Sequence, residues 1–286
     1  MLQHADCRHN RLRTTVVLVA LSGVVLVVGA LLGGRVGLIV ALACALVMSL
    51  IAYYGSARIA LRAMQAYPVS EADRPEYAAL VRELAMRMRM PMPMVYVSPT
   101  RCPNAFATGR NPRRAAICVT EGLLDTLNRR ELRTVIAHEL AHVANRDALL
   151  VSVAAALASM IMFVAQFAWL LPFGREDEDD ANPIGALLLL VLGPVAAMVL
   201  QSGVSRSREY EADRVAAQVT GDPLGLADAL AKLEAANDRL PLPPDPGLRS
   251  TAALMISNPF RSRGFIRLFW THPSTRRRIA RLRSLA

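Results

Sequence analysis

Apolar positions in this chain gather into four long runs, with arginine-rich polar stretches between them. After a short basic start carrying Arg8, Arg11 and Arg13, the first run covers Thr14 to Leu32 and the second Val36 to Tyr54. Each is long enough to cross a hydrocarbon core of about 30 Å. Gly33-Gly34-Arg35 between them predicts a tight turn, so residues 1–58 read as a membrane hairpin with spans at 14–32 and 36–54. A cleaved signal peptide fits less well, because no small-residue cleavage site precedes a further span. The third and fourth runs, Ala148 to Leu171 and Ile184 to Val204, make residues 148–204 a second hairpin. The third continues directly from the preceding helix. Its connecting loop carries Glu176, Asp177, Glu178, Asp179 and Asp180. Arginines collect at the other ends, at Arg13, Arg58, Arg62, Arg146, Arg206 and Arg208, which places those ends in the cytoplasm. Runs three and four could instead be buried core helices, but their length and freedom from charge favour the bilayer.

The polar segments between the hairpins, residues 59–147 and 205–286, read as two parts of one cytoplasmic domain. Arg74 to Met90 is expected to be helical, with Tyr77, Leu80, Val81 and Leu84 spaced to face a core. Met94 to Val97, Asn104 to Gly109 and Ala115 to Val119 read as short strands, with a turn at Asn111-Pro112. Thr120 caps a short helix, and Asn128 with Glu131 forms a capping box for the next one. Ser205 to Thr220 and Leu224 to Ala236 are helices separated by Gly221-Asp222-Pro223. A proline-rich loop covers Leu240 to Gly247. Leu254 to Trp270 mixes aromatics with Arg261, Arg263 and Arg267, which suits either a bilayer-surface segment or a buried hinge. His272-Pro273 opens a basic C-terminal helix. The fold class is mainly α with a small β-sheet, attached to four transmembrane helices.

Composition sharpens this picture. Hydrophobic residues make up 53% of the chain, and net charge is +10, with Lys232 the only lysine. Such a charge in a soluble protein would point to nucleic acid, but no basic-aromatic ladder or nucleic-acid motif is present, and a membrane accounts for it. Cys7, Cys44, Cys102 and Cys118 lack C-x-x-C spacing and read as free thiols of a reducing compartment. The alternate methionines at 86, 88, 90, 92 and 94 are expected to be apolar packing at a strand entry. Pro91 and Pro93 break any helix that could present them as soft-metal ligands.

The chemistry lies between Asn128 and Asp147. His138-Glu139-Leu140-Ala141-His142 puts two imidazoles four apart on one helical face, where they can share a metal ion, with Glu139 angled toward it as a general base. Only five histidines occur in the chain, so two at this spacing around a glutamate are a zinc signal. A catalytic zinc takes three protein ligands and leaves one position for water. Asn145 and Ala148 stand where the metzincin pattern has glycine and histidine, and Ala148 to Leu171 contains no carboxylate. The 176–180 acids lie across the membrane in the expected topology. That leaves Glu209 and Asp213, four apart on one face, one to bind metal and one to orient a ligand; Glu211 points elsewhere. Spacing does not rank the two.

H-E-L-A-H-V-A-N-R-D, S-R-x-R-E-Y-E-A-D and T-H-P-S-T-x-x-R-I, with N-A-F-A-T-G-R-N-P and V-T-E-G-L-L upstream, resemble the HtpX-type membrane metallopeptidases, bacterial relatives of the CAAX prenyl proteases. The resemblance runs from about Tyr77 onward and includes the four-span layout. It implies a gluzincin-like protease domain with one Zn²⁺ on His138, His142 and Glu209, and Asp213 behind them. It further implies that His272 steadies the oxyanion and that Asn104, Ala105, Phe106, Ala107 and Thr108 lie along the substrate cleft. Arg276 and Arg277 depart from the acidic residues often found in relatives, on an expected surface. The implied substrates are proteins or peptides, damaged membrane proteins among them, cleaved at the bacterial cytoplasmic membrane with the site facing inward. An intramembrane site-2-type protease is disfavoured, since Arg129, Arg130, Arg133 and Arg146 hold the zinc helix in water and no later span carries an aspartate. A scaffold or transporter with a structural metal would need a fourth protein ligand and no use for Glu139.

Overall fold

A computed structural model describes residues 2–170, 195, 206–240, 254–257 and 274–286. Helix α1 spans Leu2–Ala63. Strand β1 (Tyr67–Pro68) and helix α2 (Pro75–Arg87) follow, then β2 (Met94–Ser98), β3 (Ala105–Thr108) and β4 (Ala116–Thr120). Next come α3 (Glu121–Thr126), α4 (Arg129–Ala144) and α5 (Asp147–Leu170), and later α6 (Arg206–Thr220), α7 (Pro223–Arg239) and α8 (Thr275–Arg283). The sheet order is β1-β2-β4-β3, with β2 parallel to β4 and the other neighbours antiparallel. The fold is thus mainly helical with a small mixed sheet. Asparagine 128 closes the expected box at the start of α4: its side chain accepts from the Glu131 N–H at 2.9 Å, and its own N–H donates to Glu131 Oε2 at 3.1 Å.

Both faces of the sheet are covered, which explains why β4 is buried at every position. Ile117 and Val119 face a core built from Leu80, Val81 and Leu84 of α2, Val135, Ile136 and Leu140 of α4, and Leu226, Leu230 and Leu233 of α7. Phe106, Ala116 and Cys118 face the other way, onto α1 and α5. Alternation with period two divides one strand between two cores. On α1 the inward stripe is Ala45, Ala52, Ser56 and Ala60, small residues that let it lie close against Val153 to Ala158 of α5. The opposite side of α1 exposes Val36, Ile39, Leu46, Leu50 and Tyr54. Gly34–Ala63, with a mean hydropathy of 2.5 over its most apolar 18 residues, is the one helix among the described residues long and apolar enough to cross a bilayer unaided.

Several expectations change. The helix is continuous through the turn expected at Gly33-Gly34-Arg35, and the irregularity is confined to Gly34, whose φ of 54° lies in the left-handed region. The count of four spans is not reached among the described residues, because the fourth run and the acidic 176–180 loop lie outside them. The third run does not continue the zinc helix. Arg146 adopts φ 60°, at a cost of about 1–2 kcal/mol for a side-chain-bearing residue, and α5 leaves α4 at 84°. The elbow forms because the Asn145 and Arg146 N–H groups turn back to the Ala141 and Val143 carbonyls. The methionine run is not packed as expected: Met86, Met92 and Met94 are exposed, and Met88 and Met90 are partly buried against the core. Pro91 and Pro93 carry this segment away from α2, so its alternate side chains reach the surface. Of Leu254 to Trp270, only 254–257 is described, and there Leu254, Met255 and Ile256 are buried.

Candidate metal centre

Helix α4 delivers His138 and His142 one turn apart, and α6 delivers Glu209 and Asp213 one turn apart onto the same space. The two imidazole Nε2 atoms are 3.2 Å apart, and Glu209 carboxylate oxygens lie 3.7 Å from His138 Nε2 and 3.4 Å from His142 Nε2. One donor atom from each of the three falls within 4.8 Å of the others, and among the described residues no other group of at least three such side chains converges in this way. Asp213 sits behind His138, its Oδ1 3.0 Å from Nδ1, and Asp147 sits behind His142 at 3.3 Å. Each carboxylate fixes the proton on Nδ1 and turns the Nε2 lone pair inward. Two such imidazoles and a carboxylate are a donor set suited to zinc, so the residues present fit the metal.

Burial and charge set the protonation states. His138 is pushed down to about 4, first by burial and then by the Arg278 guanidinium, so it stays neutral as a ligand must. Arg278 Nη2 lies 3.4 Å from both its ring nitrogens. Burial also disfavours charge on His142, but the carboxylates of Glu209, Asp147 and Glu139 outweigh it and raise that ring to about 9 in the metal-free site, so a metal taking its Nε2 displaces a proton. The same negative field favours a bound dication. Arg278 grips Asp213 with two bonds, at 2.6 and 2.9 Å, and donates to the Ile256 carbonyl at 3.0 Å. Buried Asp213 is held at about 2, because Arg278 and His138 overcome the desolvation that would raise it. Arg208 of α6 approaches Asp147 at 3.5 Å.

The pocket in front of these groups holds Glu139, which is buried, and has an apolar wall of Ala107, Ala148, Val151, Leu254 and Ile256. Strand β3 forms one side. Thr120 N–H donates to the Asn104 carbonyl, in register with the pairs Ala105–Val119 and Ala107–Ile117. Ladder bonds therefore fall on positions 104, 106 and 108, and Ala105 and Ala107 turn their peptide groups to the outer edge. The Ala105 carbonyl already accepts from Ile256 N–H at 3.1 Å.

Of the five residues expected along the cleft, only Ala107 lines the pocket with its side chain. Phe106 faces the second core, Asn104 donates to the Ser257 carbonyl at 2.8 Å, and Thr108 pairs with Ser152 at 2.8 Å. His272 lies outside the described residues. Glu211 points away as expected and pairs with Arg214, while Arg276 and Arg277 are exposed. Sequence reasoning missed Asp147 and Arg278. Asp147 reaches His142 only through the elbow after α4, which helical periodicity does not foresee. Arg278 stands within T-H-P-S-T-x-x-R-I, and its burial was the signal that could not be seen.

The model of Peptidase family M48 matches residues 71–286. A protein described as "Protease HtpX homolog" from Kineococcus radiotolerans is 51% identical, with 97% of each chain covered. Another of that description, from Pyrococcus furiosus, is 46% identical over 96% of this chain and 95% of its own. Among solved structures, the crystal structure of S. mikatae Ste24p is similar at 16% identity and a TM-score of 0.43, covering 97% of this chain and 66% of that one. With a family model matched over most of its length and close relatives along nearly all of it, the chain belongs to Peptidase family M48.

Proposed function

We propose that this protein is a membrane-embedded zinc endopeptidase that cleaves peptide bonds at the His138–His142–Glu209 centre. The observation that carries this is the convergence of two inward-turned Nε2 atoms and a carboxylate beside buried Glu139. His138, His142 and Glu209 hold the ion, with Asp213 and Asp147 orienting the rings. Zinc bound there supplies a Lewis acid for the scissile carbonyl and brings the pKa of a bound water to about 7. Glu139 accepts the proton of the attacking water and passes it to the leaving nitrogen. Substrate main chain pairs with the outward peptide groups of Ala107, next to the apolar wall. His272 donates to the developing oxyanion, a contribution on the order of 3 kcal/mol in comparable sites.

The rest of the reading follows the charge pattern. Four spans leave both termini and the centre in the cytoplasm of a bacterial cell, with the acidic 176–180 loop outside. The substrate class, damaged or misfolded membrane proteins, rests on the family resemblance instead. A closed structural site, as in a scaffold or transporter, takes four protein ligands, whereas three converge among the described residues. Glu139→Gln tests the proposal: the purified variant should keep stoichiometric zinc and lose nearly all cleavage of casein or a membrane-protein substrate. Near wild-type cleavage would remove Glu139 from the mechanism.

A further inference from the structure

Arginines with no acidic partner among the described residues stand where α1 leaves its apolar stretch. The helix exposes aliphatic side chains from Val36 to Ile51, then Tyr54, and one and two turns later the exposed Arg58 and Arg62. Tyr53 and Tyr54 meet edge to face with ring centroids 5.0 Å apart. Aliphatic, then tyrosine, then arginine is the order of a bilayer's core, interface and headgroup layer.

The loop joining β3 to β4 comes to the same level. Arg110 places its guanidinium over the Tyr54 ring, 4.9 Å from the centroid. The Thr108–Ser152 hydrogen bond ties the root of this loop to α5. Gly109, at φ 125°, brings the ends of the loop together: a Cβ there would lie 2.4 Å from the Arg114 carbonyl oxygen. Asn111 accepts from the Arg114 N–H at 3.1 Å and closes the turn. Exposed Arg113 and Arg114 are therefore held beside Arg110 rather than on a long free loop. Several other arginines of the domain pair with acids, as in Arg74–Glu121, Arg101–Asp125, Arg130–Asp222 and Arg133–Glu83, whereas exposed Arg89, Arg129 and Arg277 do not. Among the described residues, Arg58, Arg62, Arg110, Arg113 and Arg114 have none.

We propose that these five arginines bind the phosphate groups of anionic phospholipids in the leaflet that meets the Tyr54 end of α1. The guanidinium fork matches phosphate geometry, and an arginine near an anionic bilayer surface gains about fivefold in affinity. Because the loop continues from β3, headgroup binding anchors the strand whose Ala107 lines the metal pocket. The proposal rests on the reading that α1 spans the bilayer, and alkaline carbonate separates the two. Release of the protein from vesicles overturns the spanning reading, whereas retention without headgroup preference overturns only the lipid site.

The test reconstitutes the full chain in phosphatidylcholine vesicles and compares immobilisation of spin-labelled phosphatidylglycerol with that of spin-labelled phosphatidylcholine. The wild type should prefer phosphatidylglycerol by about fivefold or more at low salt. Arg110→Gln/Arg113→Gln/Arg114→Gln and Arg58→Gln/Arg62→Gln should each reduce the preference, and together bring it near unity. Unchanged zinc content in these variants shows that they fold. An Arg82→Gln/Arg101→Gln control should keep the wild-type preference. No preference in the wild type, full preference in the combined variant, or equal loss in the control overturns the proposal. Sodium phosphate should compete no better than sodium chloride at matched ionic strength; stronger competition would mean a free-phosphate site and overturn the lipid assignment.

Discussion

Removing the Asp213 carboxylate should damage the fold and the metal centre by separate routes. In Asp213→Ala, Arg278, 1% exposed, keeps the Ile256 carbonyl but loses both its bonds to Asp213. Unit charges about 4 Å apart at an effective dielectric of 20 interact by about 4 kcal/mol, and breaking one side of a buried pair costs about 3–5 kcal/mol. The Asp213 carboxyl is held down to about 2 although desolvation alone would raise it, which shows the same attraction at work. A loss of about 3 kcal/mol is therefore expected in the metal-free protein. Arg278 Nη1 already lies 3.6 Å from Glu209 Oε2, and with Asp213 gone it is free to take that carboxylate from the metal. His138 also loses its Nδ1 acceptor, so zinc affinity should fall roughly 10- to 100-fold. Thermal unfolding in nanodiscs, with chelator and across a zinc titration, reads both effects through the ligand dependence of the midpoint. Adding Arg278→Met to Asp213→Ala removes the stranded charge and should recover much of the stability. It should not recover zinc affinity, since His138 still lacks its partner. Full recovery of affinity in the double variant, or a single variant within about 0.5 kcal/mol of wild type, would refute this account of how Asp213 acts.

Three further outcomes follow from the same geometry. Glu209→Ala should abolish or severely weaken zinc binding and Glu211→Ala should leave it nearly unchanged, with Asp213→Ala between them in metal titrations; Glu211 proving the most damaging would overturn the facing of α6. Asn128→Ala opens the capping box at the start of α4 and should cost about 1–2 kcal/mol in unfolding experiments, with zinc stoichiometry intact. Gly122→Ala puts a Cβ 1.9 Å from the Arg101 carbonyl oxygen at the start of α3, and should cost about 3 kcal/mol or more by the same unfolding assay.

What the sequence determined by itself is what spacing along one element can encode. His138 and His142 share a face because four residues make about one helical turn, and the boxed Asn128 and Glu131 fix where that turn begins. Tyr77, Leu80, Val81 and Leu84 are all buried as their period requires, and three short strands fall where the apolar clusters are. The pair Glu209 and Asp213 was also legible, as two carboxylates on one face of a polar helix. Their order was not, because it depends on what lies behind each of them. Only the packing of α8 against α6 brings Arg278 onto Asp213 and leaves Glu209 facing both Nε2 atoms. The elbow at Arg146 was equally hidden. A left-handed arginine is unfavourable locally and persists because the covered sheet and the α1–α5 contact dictate the direction of the next helix. That bend returns Asp147 to His142, so half of the support behind the metal ligands is decided by a tertiary angle that no periodicity in the chain records.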